Sequence, residues 1–325
     1  MTLKNELCRL LGIEYPIIEG GLAYVGNGLL AAAVSEGGGF GQVGAGGRTP
    51  ENFAEQIRIA AAHTDKPFGV NVPLSMHQDL SRYFEVIKEN RNRIKAVSLG
   101  AGNPKPWIPF LKQLGILVMV MTSTVRHARS AEAAGANIVI CEGYEAGGKN
   151  GPAELTTMAL VPQVARAVSV PVVAAGGIAD GRGMAAALAL GAQGVQMGTR
   201  FVATIECEAH ERYKKILVEA GDDSTLIMSR ALGSSVRVYR NAYAEKVQEM
   251  ERQNPDPEKL RPYVSGAANA KAAIHGDFEN GYVNAGQSTG LIDGIESAAA
   301  VVKKGAGEAE TVIRSMYESV AGGQT

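Results

Sequence analysis

The sequence predicts an α/β fold in which eight parallel strands close into a (β/α)8 TIM barrel, with a helical lid subdomain after strand 8. Three observations lead to this prediction. Apolar runs of strand length alternate with helical stretches through the first 205 residues. Eight such runs follow one another, and most of them end in glycine. Eight parallel strands covered by helices are what closes this barrel, whereas the alternative, an open doubly wound sheet, does not need eight similar units.

The predicted strands are short and rich in β-branched residues. They cover residues 15–19, 40–43, 67–72, 96–99, 117–120 and 137–141, followed by the two runs that end at Gly176 and Gly198. Between them, Thr49 and Pro50 begin a helix as N-cap and first helical residue. Later helices end in glycine caps that lead directly into the next strand.

The chain divides by pattern into three parts. We expect residues 1–205 to form the barrel, residues 206–290 a helical lid or insertion, and residues 291–325 C-terminal helices that pack on the barrel. The middle segment could be a lid over the barrel mouth or a cap that only stabilises. A barrel that is already closed has little other use for it, which favours a lid.

Composition excludes several classes of function. A net charge of -1 gives no reason to expect nucleic acid as a partner. No apolar run is long enough to span a bilayer, and the N-terminus lacks the apolar core of a signal peptide, so we expect a cytoplasmic protein without membrane attachment. Cys8, Cys141 and Cys207 have no metal-ligand spacing, so neither a metal site nor a disulfide framework is expected.

The glycines at the ends of the seventh and eighth strands predict a phosphate site. Gly176-Gly177 and Gly198-Thr199 supply backbone N–H groups, a hydroxyl and a helix N-terminus at adjacent strand ends. The alternative is a tight turn without a ligand, which would be enough to explain Gly176-Gly177 or Gly198-Thr199 if only one of them were present. No Walker-type lysine follows, which disfavours an NTPase.

The glycine-rich loop at residues 142–151 is the second candidate site. It carries Glu142 and Lys149, and its glycines allow the backbone to approach a flat ligand. A lysine in such a loop is usually solvated, but facing an apolar ring it could act as acid, base or charge stabiliser. Asn71 and Ser98, near other strand ends, could bind a ring edge or cap turns. No nucleophile with a matching histidine is indicated, so the chemistry requires a cofactor, and FMN fits a glycine-lined phosphate site.

Motifs in family order resemble the flavin-dependent nitronate monooxygenase and enoyl-thioester reductase family, once called 2-nitropropane dioxygenase-like. The matching stretches are Tyr15-Pro16-Ile17 with Gly20-Gly21, Gly69-Val70-Asn71, and residues 142–148, 174–181, 196–201 and 285–287. The resemblance implies a barrel that binds FMN. The residues it places at FMN are Gly21, Leu22, Asn71, Glu142, Ala146, Gly147, Gly176, Gly177, Gln196, Gly198 and Thr199.

Further motifs are similar to the enoyl-acyl-carrier-protein reductase branch: residues 100–104 and 155–158, Val236-Arg237 with Arg240-Asn241, and His275-Gly276-Asp277. This similarity implies hydride transfer from NADH or NADPH to FMN and then to a 2-enoyl thioester. The implied partners are a small-molecule or thioester substrate, with acyl carrier protein as a candidate carrier and a homodimer as a candidate assembly.

The chain departs from the family pattern at Lys149, where both branches usually carry histidine. In nitronate oxygenases that histidine is the catalytic base, which a protonated lysine cannot replace. A lysine can still stabilise an enolate, so we predict Lys149 as the catalytic residue of an enoyl-thioester reductase. The alternatives are a nitronate monooxygenase, a quinone or nitro reductase, and a flavin-binding protein that has lost turnover.

Overall fold

The computed structural model describes residues 3–75 and 79–321. The strands are β1 (Ile17–Glu19), β2 (Gly41–Gly44), β3 (Phe68–Pro73), β4 (Ile94–Gly100), β5 (Leu117–Thr122), β6 (Ile138–Glu142), β7 (Gly148–Asn150), β8 (Val172–Ala175), β9 (Gly194–Met197), β10 (Thr225–Met228) and β11 (Ser235–Tyr239).

The helices are α1 (Glu6–Leu11), α2 (Gly28–Glu36), α3 (Pro50–His63), α4 (Leu80–Glu89), α5 (Ile108–Gln113), α6 (Val125–Ala133), α7 (Thr157–Ala165), α8 (Gly181–Ala189), α9 (Thr199–Val202), α10 (Glu211–Val218), α11 (Ala242–Gln253), α12 (Pro257–Leu260), α13 (Gly266–His275) and α14 (Ala298–Ala321). Short 3-10 turns cover Arg230–Leu232 and Gln287–Leu291. No helix in the described part of the chain is both long and apolar enough to span a membrane.

Eight strands form a parallel barrel in the order β1-β9-β8-β6-β5-β4-β3-β2. A parallel bridge between Ile18 and Phe40 joins β1 to β2. Phe40 N donates to Ile17 O, and Glu19 N donates to Phe40 O, each at 2.9 Å. The predicted (β/α)8 barrel is therefore confirmed, and all eight predicted strands belong to it.

Apolar side chains fill the barrel interior because every second residue of a strand points inward. Phe40, Met119 and Ile140 are fully buried there. Leu7 and Leu11 of α1 are fully buried in the same cluster and close its lower end. The sequence analysis did not predict this short helix. With the interior packed, a ligand of the barrel has to bind beyond the ends of the strands.

The segment at residues 206–290 contains strands as well as the expected helices. Its β10 and β11 form an antiparallel sheet with β7, in the order β10-β11-β7. Lys149 of β7 pairs with Val236 of β11. Because β7 belongs to the loop after β6, this sheet ties the segment to the barrel mouth. Its strands pair across a long stretch of chain, so no local pattern marks them.

The described end of the chain is one long helix, α14, after the 3-10 turn. It packs along α8, where a Cβ on Gly181 would lie 2.3 Å from Glu308 Cβ. Glu308 Oε2 also accepts a hydrogen bond from Gly181 N at 3.2 Å. Glycine is therefore required at this close approach, and α14 is held against the wall of the barrel.

Candidate active site

A cleft opens where the barrel strands end, and the segment at residues 206–290 covers one side of it. It contains about 810 Å³ of space free of protein atoms, including its open mouth. Gly20, Met121 and Glu142 follow or end β1, β5 and β6 on the barrel side. We call the opposite side, formed by Tyr213, Asn269, Ala273 and Asn284, the lid wall.

The structure brings most of the predicted cofactor residues together at this cleft. Those that line it are Gly21, Leu22, Glu142, Ala146, Gly147, Gly176, Gly177, Gln196, Gly198 and Thr199. Asn71 lies one layer behind: a Cβ on Gly21 would be only 2.2 Å from Asn71 Cγ. Asn71 Nδ2 donates to Ser98 Oγ at 2.9 Å. These two residues, which were candidates for binding a ring edge, are therefore hydrogen-bonded to each other.

Gly176 and Gly177 form the turn predicted to hold phosphate. Their φ angles of 94° and 74° are in the left-handed region, which favours glycine. The N–H groups of Gly176, Gly177 and Gly198 donate to no acceptor within the described residues. Thr157 Oγ1 donates to Gly176 O at 2.9 Å and fixes the turn from behind. The turn therefore presents unused donors, as a phosphate site requires.

Thr199 connects the phosphate turn region to the chain beyond the lid wall. Its Oγ1 accepts a hydrogen bond from Gly286 N at 2.9 Å. Gln287 N donates to Glu145 O at 2.9 Å, and a Cβ on Gly147 would lie 2.8 Å from Gly286 N. Three segments thus meet at van der Waals distance around one edge of the cleft.

The helix N-terminus expected to favour phosphate is not that of α8. Asp180 caps α8 by accepting from Gly183 N at 2.8 Å, and Glu308 accepts from Gly181 N. Both carboxyl groups occupy the end of α8. The helix that begins at the cleft is the four-residue α9, which starts at Thr199. Backbone donors, rather than the α8 dipole, therefore characterise the anion end of the cleft.

Two ionisable side chains, Glu142 and Tyr213, line the cleft in the described residues. Burial raises the pKa of Glu142 from 4.5 to about 8. Burial also raises the pKa of the Tyr213 hydroxyl, which donates to Asn284 O. The cleft therefore favours the protonated forms of its two acids.

Lys149, the predicted catalytic residue, does not line the cleft. It is exposed in β7 and opposite Val236, so its side chain shares a face of the small sheet with that valine. Its side chain makes no hydrogen bond or ion pair with the described residues. A Cβ added to its neighbour Gly148 would lie 3.5 Å from Asn284 Nδ2 of the lid wall. His275, noted for its motif, is exposed at the end of α13 and also lies outside the lining.

Sequence reasoning did not select the polar residues of the lid wall. Tyr213, Asn269 and Asn284 lie far apart in sequence and have no common spacing. The one available signal was the position of Asn284 directly before the Ala285-Gly286 motif. Tertiary folding alone brings these three residues to the cleft.

The residues present fit FMN. Unused backbone donors at Gly176, Gly177 and Gly198 suit its phosphate. Gly147 and Gly176, whose added Cβ would strike neighbouring backbone atoms, let the segments around the cleft pack closely against one another. These residues, together with Glu142 and Gln196, would hold the cofactor.

Comparison with known proteins agrees with this reading. A family model described as nitronate monooxygenase matches residues 4–95 and 78–305. A probable nitronate monooxygenase of Staphylococcus haemolyticus (strain JCSC1435) is 32% identical over 333 residues, covering 90% of this chain and 93% of that protein. The (3aS,4S,5R,7aS)-5-hydroxy-7a-methyl-1-oxo-octahydro-1H-indene-4-carboxyl-CoA dehydrogenase of Mycobacterium tuberculosis is 36% identical over 251 residues, covering 76% of this chain and 69% of that protein.

Solved structures match over nearly the whole chain. FabK from Thermotoga maritima has a TM-score of 0.93 and 42% identity, covering 98% of this chain and 100% of that one. Nitroalkane oxidase from Streptomyces ansochromogenes has a TM-score of 0.80 and 28% identity, covering 96% and 100%. The chain therefore belongs to the nitronate monooxygenase family and is an FMN-dependent oxidoreductase.

Proposed function

We propose that this protein is an NAD(P)H-dependent reductase of 2-enoyl thioesters. The observation that carries the proposal is the acid–base character of the cleft. Burial raises the pKa of its two ionisable lining residues, Glu142 and Tyr213, which favours their protonated forms, and Lys149 lies outside the lining. Reduction of an enoyl thioester adds a hydride and a proton, so it needs no base. Oxidation of a neutral nitroalkane does need one, because the nitronate has to form first.

When bound, FMN supplies hydride transfer between the nicotinamide and the β-carbon of the thioester. The chain's own residues bind and orient. Gly176, Gly177 and Gly198 hold the phosphate, and the lid wall encloses the reacting region and excludes water. In this proposal residues 206–290 act as a lid, because Tyr213, Asn269 and Asn284 all come from them.

The relatives support a thioester substrate. One is by name a dehydrogenase of a carboxyl-CoA compound, which is a thioester. The 42% identity with FabK supports the branch that the sequence motifs resemble. Either coenzyme A or acyl carrier protein could carry the acyl group, and both lead to the same reacting atoms.

Lys149 remains our proposed charge-stabilising residue. It lies next to Gly148, which is close to Asn284 of the lid wall. Because neighbouring strand residues point to opposite faces, the exposed Lys149 side chain would act on the negative charge that develops on the thioester oxygen through space and not by contact. A protonated lysine serves this purpose, whereas it would not serve as a base.

The test is an anaerobic mixing experiment. The bound flavin is reduced with NADH or NADPH and then mixed separately with crotonyl-CoA and a quinone, which are electron acceptors. The oxidised flavin is mixed with an alkyl nitronate, which is an electron donor. We expect the thioester to reoxidise the flavin faster than the quinone. Reoxidation by the quinone but not by crotonyl-CoA would contradict the proposal and support a quinone reductase. Flavin reduction by the nitronate, with oxygen uptake in a separate aerobic assay and no reaction with crotonyl-CoA, would support a monooxygenase. A flavin that neither nicotinamide reduces would indicate a protein that binds FMN without turnover.

A further inference from the structure

The lid wall contains one amide side chain that has no partner. Asn284 Oδ1 is buried and accepts no hydrogen bond. Its Nδ2 also makes no hydrogen bond within the described residues, but unlike Oδ1 this atom is not fully buried. A buried polar group without a partner is uncommon in a folded protein and often marks a functional site.

Other amides nearby are used structurally. Asn269 Nδ2 donates to Tyr282 O at 3.0 Å. Asn150 Nδ2 donates to Ala146 O at 2.9 Å and to Gly148 O at 3.0 Å. Asn150 Oδ1 is also buried without a partner, so Asn284 differs in that neither polar atom of its side chain makes a hydrogen bond within the described residues.

The backbone of Asn284 is nevertheless held firmly. It forms an antiparallel bridge with Val238 of β11, and the Tyr213 hydroxyl donates to Asn284 O. Tyr239 N donates to the preceding carbonyl, Val283 O, at 2.9 Å. The side chain packs beside Gly148, with Nδ2 3.5 Å from the position of a Cβ on that glycine. A rigid backbone that presents an unused amide to a cleft is the arrangement expected of a ligand-binding group.

We propose that Asn284 is a specificity-determining residue whose Nδ2 donates a hydrogen bond to the neutral carbonyl oxygen of the substrate, while its buried Oδ1 accepts one from an amide N–H of the arm that carries the thioester. This inference rests on the proposed function for the identity of the substrate. The lid wall carries no charged side chain, and the Tyr213 hydroxyl already donates to Asn284 O. The wall therefore suits a neutral carbonyl, such as that of a thioester, better than a nitronate anion. Tyr213 acts as a positioning residue, because it holds the Asn284 backbone.

Two variants of the flavin-loaded protein test the proposal. Asn284→Leu keeps most of the volume and removes the donor, and Asn284→Ala is a second variant in case leucine does not fit. Asn280→Ala is the control: Asn280 is exposed in the same segment and bonds only to Asp277. The dissociation constant for crotonyl-CoA is measured from the perturbation of the flavin spectrum. Both Asn284 variants should bind it about tenfold more weakly, with unchanged FMN content, and the control should match the wild type.

Thermal unfolding without substrate separates ligand binding from a structural role. Because the Asn284 amide makes no hydrogen bond within the described residues, Asn284→Leu should leave the melting temperature unchanged or raise it by about 2 °C. A fall of several degrees in both Asn284 variants, or an unchanged dissociation constant, would overturn the proposal.

Failure of the proposed function would give a different result. If the wild type neither binds nor reduces crotonyl-CoA, the thioester assignment is wrong, and the same variants are compared with a quinone, which also presents a neutral carbonyl. If both Asn284 variants bind the quinone about tenfold more weakly than the wild type, the Asn284 proposal is supported. If they bind it equally well, the proposal is contradicted.

Discussion

Glu19 and Gln42 complete the seam between β1 and β2 by exchanging side-chain and backbone hydrogen bonds. Glu19 Oε2 accepts from Gln42 N at 3.0 Å, and Gln42 Nε2 donates to Glu19 O at 2.5 Å. Both residues are fully buried. The closing seam of the barrel therefore depends on two side chains directly below Gly20, at the edge of the cleft.

Replacing Glu19 should weaken this seam. Glu19→Leu leaves the buried Gln42 N–H without an acceptor and should lower the free energy of unfolding by about 2 kcal/mol. Glu19→Gln keeps an acceptor oxygen, and burial raises the pKa of Glu19 well above its usual value, so this site favours an uncharged side chain. Urea denaturation should rank glutamine clearly above leucine. Equal stability of the two variants would show that the hydrogen bond is unimportant.

Alanine at Gly176 should impair FMN binding. A Cβ there would lie 2.8 Å from Gly143 O, and the φ of 94° adds backbone strain of about 1–3 kcal/mol. We expect purified Gly176→Ala protein to contain several-fold less FMN, measured from the ratio of flavin to protein absorbance. Gly115→Ala is the matched control: its φ is 74° and no atom lies within 4 Å of its added Cβ. Equal FMN loss in both variants would point to general destabilisation.

The raised pKa of Glu142 predicts a pH dependence of stability. Between its usual pKa of 4.5 and its folded pKa of about 8, the folded protein holds a proton that the unfolded chain has released. The contribution of Glu142 to stability therefore falls as pH rises through this window and is constant above it. Glu142→Gln removes this dependence. At pH 9 its free energy of unfolding should exceed that of the wild type by roughly 2 kcal/mol, a figure that already allows for screening by water in the cleft.

The measurement for Glu142 is the free energy of unfolding in urea from pH 5 to pH 9. Glu279→Gln, at an exposed position of the lid segment, serves as the control and should follow the wild type. Parallel curves for wild type and Glu142→Gln would mean that Glu142 is ionised in the folded protein.

Removing the Lys149 charge should slow turnover without loss of cofactor. Lys149→Met should lower kcat with crotonyl-CoA about tenfold, because the developing negative charge loses its stabilisation, while FMN content stays constant. Lys95→Met, at an exposed position of β4, is the control for losing a surface charge. Unchanged turnover in the Lys149 variant would remove this lysine from the mechanism.

Much of the fold was predictable because its signals are local. Most barrel strands are short apolar runs that end in, or lead directly into, glycine or a polar residue, and several helices between them have side-chain N-caps, such as Thr49, Thr124 and Asp180. The phosphate turn at Gly176-Gly177 could be predicted for the same reason, since two adjacent glycines after a buried strand have few other uses. The small sheet of β7, β10 and β11 could not, because its strands pair across distant parts of the chain.

The sequence by itself determined the barrel, the glycine-lined strand ends and the departure at Lys149, since all three depend on residue type and spacing along the chain. The tertiary structure alone decided which polar groups face the cleft. It placed Lys149 outside the lining, paired Asn71 with Ser98, and left Asn284 without a partner. Hydrogen bonding and burial depend on neighbours that are distant in sequence, so these properties exist only once the chain has folded.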